Sequence, residues 1–159
     1  MNNSTYFGEN SDRSVSFVVN YVLVIAITAV LITGIIIAGG SFVEDQREQV
    51  IAGEMRIIGN HIAGNLEQVD RYARAGPTSE AYINQSFGTD VTGSTWSVEL
   101  DERGDTSQVV VNSTRPEVSV RVNATTQLSV DDDSYADSGK ISVAYDPSGP
   151  LPTLVIRDA

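Results

Sequence analysis

The densest group of side chains able to bind a cation is the run Asp131-Asp132-Asp133, which Asp137 follows closely. Carboxylates at alternate positions hold Ca²⁺ in EF-hand loops, but the glycine and the distal glutamate of such a loop are missing here. We therefore interpret the run as a hydrated acidic loop, and we predict no metal site.

The chain has one histidine, His61, and no cysteine. The ligand set of a zinc site and the parts of a His-based nucleophile triad are therefore missing from the sequence. A glycine loop of the phosphate-binding type is also missing. We predict no catalytic residue, no cofactor and no enzymatic activity. Acid–base chemistry by carboxylates alone stays open, since any acidic domain offers such pairs.

Three Asn-x-Ser/Thr triplets lie in the second half of the chain, at Asn84, Asn112 and Asn123. This triplet is the acceptor for N-glycosylation, although chance also produces it often in a chain rich in Asn, Ser and Thr. Their concentration in one region suits a surface outside the cell, where glycans would shield it. We predict these three asparagines as glycosylation candidates.

The chain is acidic, with 21 Asp and Glu against 10 Lys and Arg and a formal net charge of −11. This balance argues against a nucleic-acid partner, because phosphate binding needs a basic face. Lys140 is the only lysine. Such a composition resembles that of proteins from salt-loving archaea, in which carboxylates keep the surface hydrated. Acidic drift without adaptation to salt is the alternative.

The part of the chain that carries these side chains follows an apolar segment, residues 14–43, which contains no Asp, Glu, Lys, Arg or His. About 20 apolar residues in a helix cross the ~30 Å hydrocarbon core of a bilayer. We predict a transmembrane helix over residues 15–43. A buried core helix would keep a polar face, and a secretory signal peptide has an apolar core of only ~7–15 residues. An anchor that is never cleaved remains a third alternative.

Residues 44–76 predict an amphipathic continuation of the same helix. Its apolar residues recur at steps of three and four, and the pattern repeats every eleven residues, which favours packing against a sheet over a seven-residue coiled coil. We expect the apolar stripe to be buried and the opposite face to be solvated. The stripe comprises Ile51, Met55, Ile58, Ile62, Leu66, Val69 and Ala73, and the solvated face comprises Glu48, Arg56, Asn60, Glu67, Asp70, Arg71 and Arg74. Gly76-Pro77 would end the helix.

In residues 77–159 the apolar pattern changes to a period of two. Alternating strands are predicted at 96–100, 118–122 and 141–145, and strands covered on both faces at 109–111 and 154–156. Turns are expected at 101–105 and 147–152. The predicted fold class is α+β, a long N-terminal helix followed by a small antiparallel β-sheet or sandwich.

The junction before the apolar helix reads Asp12-Arg13-Ser14-Val15-Ser16, after a polar segment, residues 1–13, that we expect to be disordered. A charged pair, a small residue and then a long apolar helix resemble the processing site of archaeal type IV prepilins. Residues 12–75 also resemble a group of haloarchaeal pilin-like membrane proteins of unassigned function.

The resemblance implies a type IV pilin-like fold and a prepilin peptidase that cuts between Ser14 and Val15 on the cytoplasmic side, with Arg13 in its recognition site. Residues 1–14 would then be a cleaved leader. The family usually has Gly or Ala at the position of Ser14, and many major pilins continue with Val-Ser-Pro where this chain has Val15-Ser16-Phe17. A minor or accessory subunit is therefore expected.

The predicted partners are the lipid bilayer, the prepilin peptidase, and other pilin-like subunits or the pilus assembly machinery. Gly34 and Ala38 form a small-x-x-x-small pair for close helix contact, and Asn20, Thr28 and Thr33 carry groups that can hydrogen-bond across such a contact. The expected location is the cell membrane, crossed once, with an extracellular C-terminal domain that a surface filament would contain. The alternatives are an uncleaved surface protein with a β-rich binding head and a tethered accessory of a secretion or motility machine.

Overall fold

The computed structural model describes residues 8–76, 80–104 and 106–159, with side chains from Val15 onward. Within these residues one α-helix precedes seven β-strands. The helix is α1 (Gly8–Arg74), and the strands are β1 (Tyr82–Ser86), β2 (Trp96–Arg103), β3 (Thr106–Thr114), β4 (Glu117–Ala124), β5 (Tyr135–Asp137), β6 (Lys140–Asp146) and β7 (Thr153–Asp158). The predicted α+β class, with a long N-terminal helix before antiparallel strands, is confirmed.

The start of α1 corrects one prediction. We expected residues 1–13 to be disordered, but the helix begins at Gly8. Adding a residue to an existing helix is far easier than nucleating one, so the apolar run extends its helix into the polar segment before it. Residues 1–7 lie outside the described part of the chain. At the other end α1 stops at Arg74, and Ala75 and Gly76 form a turn.

The chain divides into two compact units, of which the first ends at Gln46 and the second comprises Arg47–Ala159. In the first unit, the apolar side chains from Val15 to Val43 are exposed. This segment contains a window of mean hydropathy 2.8, and by length and composition its helix is able to cross a membrane.

In the second unit, α1 buries the predicted stripe. Five of its side chains are fully enclosed and Ile58 and Ala73 are half-buried; the five are Ile51, Met55, Ile62, Leu66 and Val69. They form one core with residues of β2, β3, β4, β6 and β7. The prediction that the stripe packs against a sheet is therefore confirmed.

One glycine sets how closely α1 approaches the strands. A Cβ atom added to Gly59 would lie 2.8 Å from Cγ2 of Val122 on β4 and 3.4 Å from Cγ2 of Val111 on β3. Those distances leave no room for a methyl group unless the helix or the valines move.

The strands form two antiparallel sheets. One has the order β1-β6-β7, and the other has the order β4-β3-β2-β5. The strands predicted from alternation lie in β2, β4 and β6, and those predicted from short apolar runs lie in β3 and β7. The sequence reasoning missed β1 and β5.

The turn predicted at 101–105 is shorter than expected. Asp101, Glu102 and Arg103 continue β2 and pair with Gln108, Ser107 and Thr106. The chain reverses at Gly104, whose φ is +64°, a conformation that glycine adopts without a steric penalty. The break predicted at 147–152 is confirmed, since β6 ends at Asp146 and β7 begins at Thr153.

Candidate functional site

The predicted processing site lies in the first turns of α1. The helix continues through Arg13 and Ser14, and the structure describes side chains only from Val15 onward. The Val15 side chain is exposed. Each N–H of an α-helix bonds the carbonyl four residues earlier. Cleavage after Ser14 would therefore free the N–H groups of residues 15–18, which would become the start of a new helix.

The predicted packing residues fall on one side of the apolar part of α1. Ala38 follows Asn20 by five turns of 3.6 residues, and Gly34 lies one turn before Ala38. No atom lies within 4 Å of a Cβ built at Gly34. A shallow groove of about 270 Å³ runs between the two ends of this side, lined by Ala26, Ile27, Val30 and Leu31. The side is open to a neighbouring helix.

Thr28 and Thr33, which were predicted to hydrogen-bond across a helix contact, each donate their hydroxyl within α1, and their oxygens remain able to accept a hydrogen bond from a neighbouring helix. Thr28 donates to the Val24 carbonyl at 2.8 Å, and Thr33 donates to the Ala29 carbonyl at 2.8 Å. Threonine in a helix readily reaches the carbonyl four residues earlier. Asn20 makes no side-chain hydrogen bond to the described residues, so its amide needs a partner from outside the chain.

The acidic run Asp131-Asp132-Asp133 lies in a loop that hydrogen bonds hold in place. The Asp132 carboxylate accepts the Glu102 N–H at 2.7 Å, and the Asp131 carboxylate accepts the Asp133 N–H at 3.2 Å. The first bond holds the loop to the end of β2, and the second lies within the loop. Across the described ranges, no group of three or more His, Asp or Glu side chains is arranged to hold a metal ion. His61 is exposed on α1.

Asp70 is the residue whose role the sequence reasoning missed. We predicted it on the solvated face, but it is 2% exposed. Its carboxylate accepts the N–H groups of Gln127 and Leu128 at 3.1 and 3.0 Å, and it pairs with Arg74 at 2.8 Å. It is enclosed because the segment after β4 folds over it. The signal in the sequence is the i,i+4 spacing of Asp70 and Arg74 directly beside the buried Val69.

Glu67 and Arg74 extend this contact on either side of Asp70. The Glu67 carboxylate accepts the Thr125 N–H at 2.9 Å, and the Arg74 guanidinium donates to the Gln127 amide oxygen at 2.9 Å. Three side chains of the last two turns of α1 thus bind residues 125–128. We call this set the helix clamp; its chemistry is structural, because every group in it already has a partner.

The three predicted glycosylation candidates occupy different environments. Asn84 lies exposed on β1, at the edge of the three-stranded sheet. Asn112 lies half-buried on β3, inside the four-stranded sheet, and donates to the Glu99 carboxylate at 3.1 Å. Asn123 lies exposed near the end of β4 and accepts a hydrogen bond from the Gln108 amide at 2.9 Å.

Tyr135 and Asp137 on β5 form a polar pair in which the pKa of the tyrosine is shifted. Tyr135 donates its hydroxyl proton to the Asp137 carboxylate, and this bond raises the pKa of Tyr135 above its ordinary value. The neutral phenol is therefore favoured in the folded chain, and its contribution to stability would be lost only as the pH rises through that raised pKa. Tyr135 and Asp137 both lie exposed on the surface of the second unit.

A family model matches residues 10–149 of the chain, and its description is Family of unknown function (DUF7266). The match extends from the first turn of α1 to the segment between β6 and β7. No curated protein and no solved structure matches the chain.

Proposed function

The chain belongs to that family of unknown function, and we propose that it is a pilin-like structural subunit, a minor or accessory component of an archaeal type IV pilus-like assembly. The observation that carries the proposal is the junction Asp12-Arg13-Ser14, which leads directly into a helix that is long and apolar enough to cross a membrane. The second support is that α1 continues into the core of a β-rich head, the second unit defined above.

The mechanism rests on the apolar surface of α1. In the precursor the exposed side chains between Val15 and Val43 are solvated by lipid, which holds the chain in the bilayer. After a prepilin peptidase cuts behind Ser14, the same surface is reburied against helices of neighbouring subunits. Because lipid tails and partner helices are similarly apolar, the transfer changes hydrophobic burial little, and packing decides the outcome.

Asn20, Gly34 and Ala38 supply that packing. Gly34 and Ala38 allow close approach of a second backbone, and Asn20 offers an amide that gains a hydrogen-bond partner only in a helix contact. In this proposal the chain crosses the cell membrane once, and the head faces the outside of a salt-loving archaeal cell. Its acidic surface stays hydrated there, and its Asn-x-Ser/Thr triplets are the glycosylation candidates.

A second candidate is an uncleaved single-pass surface protein whose head binds a partner. The observation that favours it is Ser14, which stands where the prepilin motif usually has Gly or Ala. Both candidates share the anchor and the external head, and they differ in whether residues 1–14 are removed. Neither needs catalysis.

Intact mass of the protein from its native host tests the proposal. We expect the wild-type chain to lack residues 1–14, and the Ser14→Leu variant to keep them, because a bulky residue before the scissile bond blocks the peptidase. Ser16→Leu is the matched control, since it makes the same change two residues past the bond and should still be processed. Full-length wild-type protein would refute the pilin proposal and favour the uncleaved anchor.

A further inference from the structure

The three-stranded sheet has a second face, on the side away from its core residues, where Ser142 and Ala144 are buried at the centre; the exposed residues around them are Tyr82, Asn84, Ser86, Lys140 and Arg157. Ile83, Ile141, Val143, Leu154 and Ile156 point to the core, so the alternate residues of β1, β6 and β7 point outward. We call this the outer face. The strand register arranges it in three rows, which are Tyr82 with Ala144 and Val155, Asn84 with Ser142 and Arg157, and Ser86 with Lys140.

Asn84 lies in the middle of the free edge of this face. Tyr82, Asn84 and Ser86 are all exposed and project to the same side, because alternate residues of a strand share a face. The triplet Asn84-Gln85-Ser86 therefore presents its acceptor amide and its hydroxyl together. The Asn84 amide has no hydrogen-bond partner among the residues described, so modification would break no observed contact.

The space needed by a sugar is open on both sides of Asn84. A hollow of about 290 Å³ is bounded by Asn84, Ser86 and Lys140. Another, of about 270 Å³, is bounded by Tyr82, Asn84 and Arg157. The Tyr82 side chain is 61% exposed and offers an aromatic ring to the apolar side of a sugar, while Lys140 and Arg157 offer hydrogen-bond donors.

Asn112 lacks these properties. It belongs to β3, which pairs with β2 on one side and β4 on the other, so an enzyme reaches its backbone in the folded chain only by opening the sheet. Its amide donates to Glu99, and the Thr114 hydroxyl of its triplet is hydrogen-bonded to Thr95. Both groups that a glycosyltransferase must recognise are therefore already bonded.

Asn123 is exposed, but its triplet is fixed on both sides. Its amide oxygen accepts a hydrogen bond from Gln108, and the N–H of Thr125, the third residue of the triplet, is bound by Glu67 in the helix clamp. In the triplet on β1 the central Gln85 accepts a hydrogen bond from Asn65 of α1, but the Asn84 amide and the Ser86 hydroxyl have no hydrogen-bond partner among the described residues. Exposure alone does not separate Asn84 from Asn123; the bonding of the triplet does.

We propose that Asn84 is the N-glycosylation site of this protein and that its glycan covers the outer face. In the transfer, Nδ2 of Asn84 loses one proton to the solvent and bonds the anomeric carbon of an activated glycosyl phosphate. The bond between that carbon and the phosphate oxygen breaks, and the phosphate leaves with the electron pair. The inference rests on the external head of the proposed function, since the donor and the transferase act on exported chains.

Mass spectrometry of the full chain from its native host, with glycopeptide mapping, tests the site. We expect a glycan on wild-type Asn84 and complete loss of that added mass in both Asn84→Gln and Ser86→Ala. The Ser86→Thr variant preserves the triplet and should retain the glycan. Asn112→Gln is the matched control and should leave the mass increment unchanged.

The same spectra separate this inference from the pilin proposal, because the leader and the glycan change the mass independently. A processed chain with unmodified Asn84 would overturn the inference alone, as would a glycan mapped only to Asn112 or Asn123. A full-length chain that carries a glycan on Asn84 would support the inference and refute prepilin processing.

Discussion

At the scale of single residues, the structural role of Asp70 contrasts with the open position of Asn84. Asp70 has little contact with water, and its carboxylate binds two backbone N–H groups and one guanidinium. Hydrogen bonds to a charged group contribute more than neutral ones, and a buried donor left without an acceptor carries its full desolvation penalty. The fixed conformation of residues 125–128 therefore depends on this one carboxylate.

We predict that Asp70→Ala lowers the free energy of unfolding of the head by about 2–4 kcal/mol, because two backbone N–H groups lose their acceptor and the Arg74 guanidinium loses its carboxylate partner. Asp70→Asn keeps one oxygen for those groups and should cost roughly 1 kcal/mol. Urea unfolding in detergent, followed by fluorescence of the buried Trp96, the only tryptophan, measures both. Glu48→Ala, an exposed change on the same helix, is the control and should stay within about 0.5 kcal/mol.

At the scale of elements, the contact between α1 and the four-stranded sheet depends on the missing side chain of Gly59. Glycine inside a helix is normally destabilising by about 0.5–1 kcal/mol relative to alanine. At Gly59 this cost is offset, since the absent Cβ lets β3 and β4 approach the helix. Gly53 and Gly64 lie on the same helix with open space at the Cβ position and have no such compensation.

We expect opposite signs from these glycines. Gly59→Ala forces a methyl group against Val122 and should destabilise the head by roughly 1–2 kcal/mol despite the gain in helix propensity. Gly53→Ala and Gly64→Ala should each stabilise it by about 0.5–1 kcal/mol. Urea unfolding followed by Trp96 fluorescence measures these changes in stability. Adding Val122→Ala to Gly59→Ala should recover part of the stability that Gly59→Ala loses. Equal effects at all three positions would show that the close approach is unimportant.

At the scale of the whole molecule, the two units of the chain suit different surroundings, lipid for the first and water for the second. The first unit exposes apolar side chains that suit lipid, and the second carries an acidic surface around its core. With a formal net charge of −11, the folded chain is destabilised by its own charge repulsion, and salt screens that repulsion.

We predict that the Tm of the head rises by several degrees as NaCl increases from ~0.1 M to ~1 M, since the screening length falls from about 10 Å to about 3 Å. Thermal unfolding followed by Trp96 fluorescence measures the rise. Asp133→Asn removes one exposed charge of the acidic run and should raise the Tm at low salt and reduce the dependence on salt. A Tm that does not change with NaCl would mean that the acidic surface has no effect on stability.

The order and type of the main elements were available from sequence alone. The uncharged run 14–43, the stripe from Ile51 to Ala73 and the alternating segments of β2, β4 and β6 each show a periodicity that is local in the chain. Secondary structure and its buried face follow from that local pattern, so the α+β class and the buried stripe could be predicted.

Only the tertiary structure decided which residues meet. β1 is too short and polar for its pattern to be recognised, and it is a strand because β6 pairs with it. Asp70 is buried because residues distant in sequence fold over it, and a larger residue is disfavoured at Gly59 because two valines of the sheet face it. Asn84 is open while Asn112 is enclosed because one strand lies at an edge and the other inside a sheet. Strand pairing joins segments far apart in the chain, and no local periodicity records it.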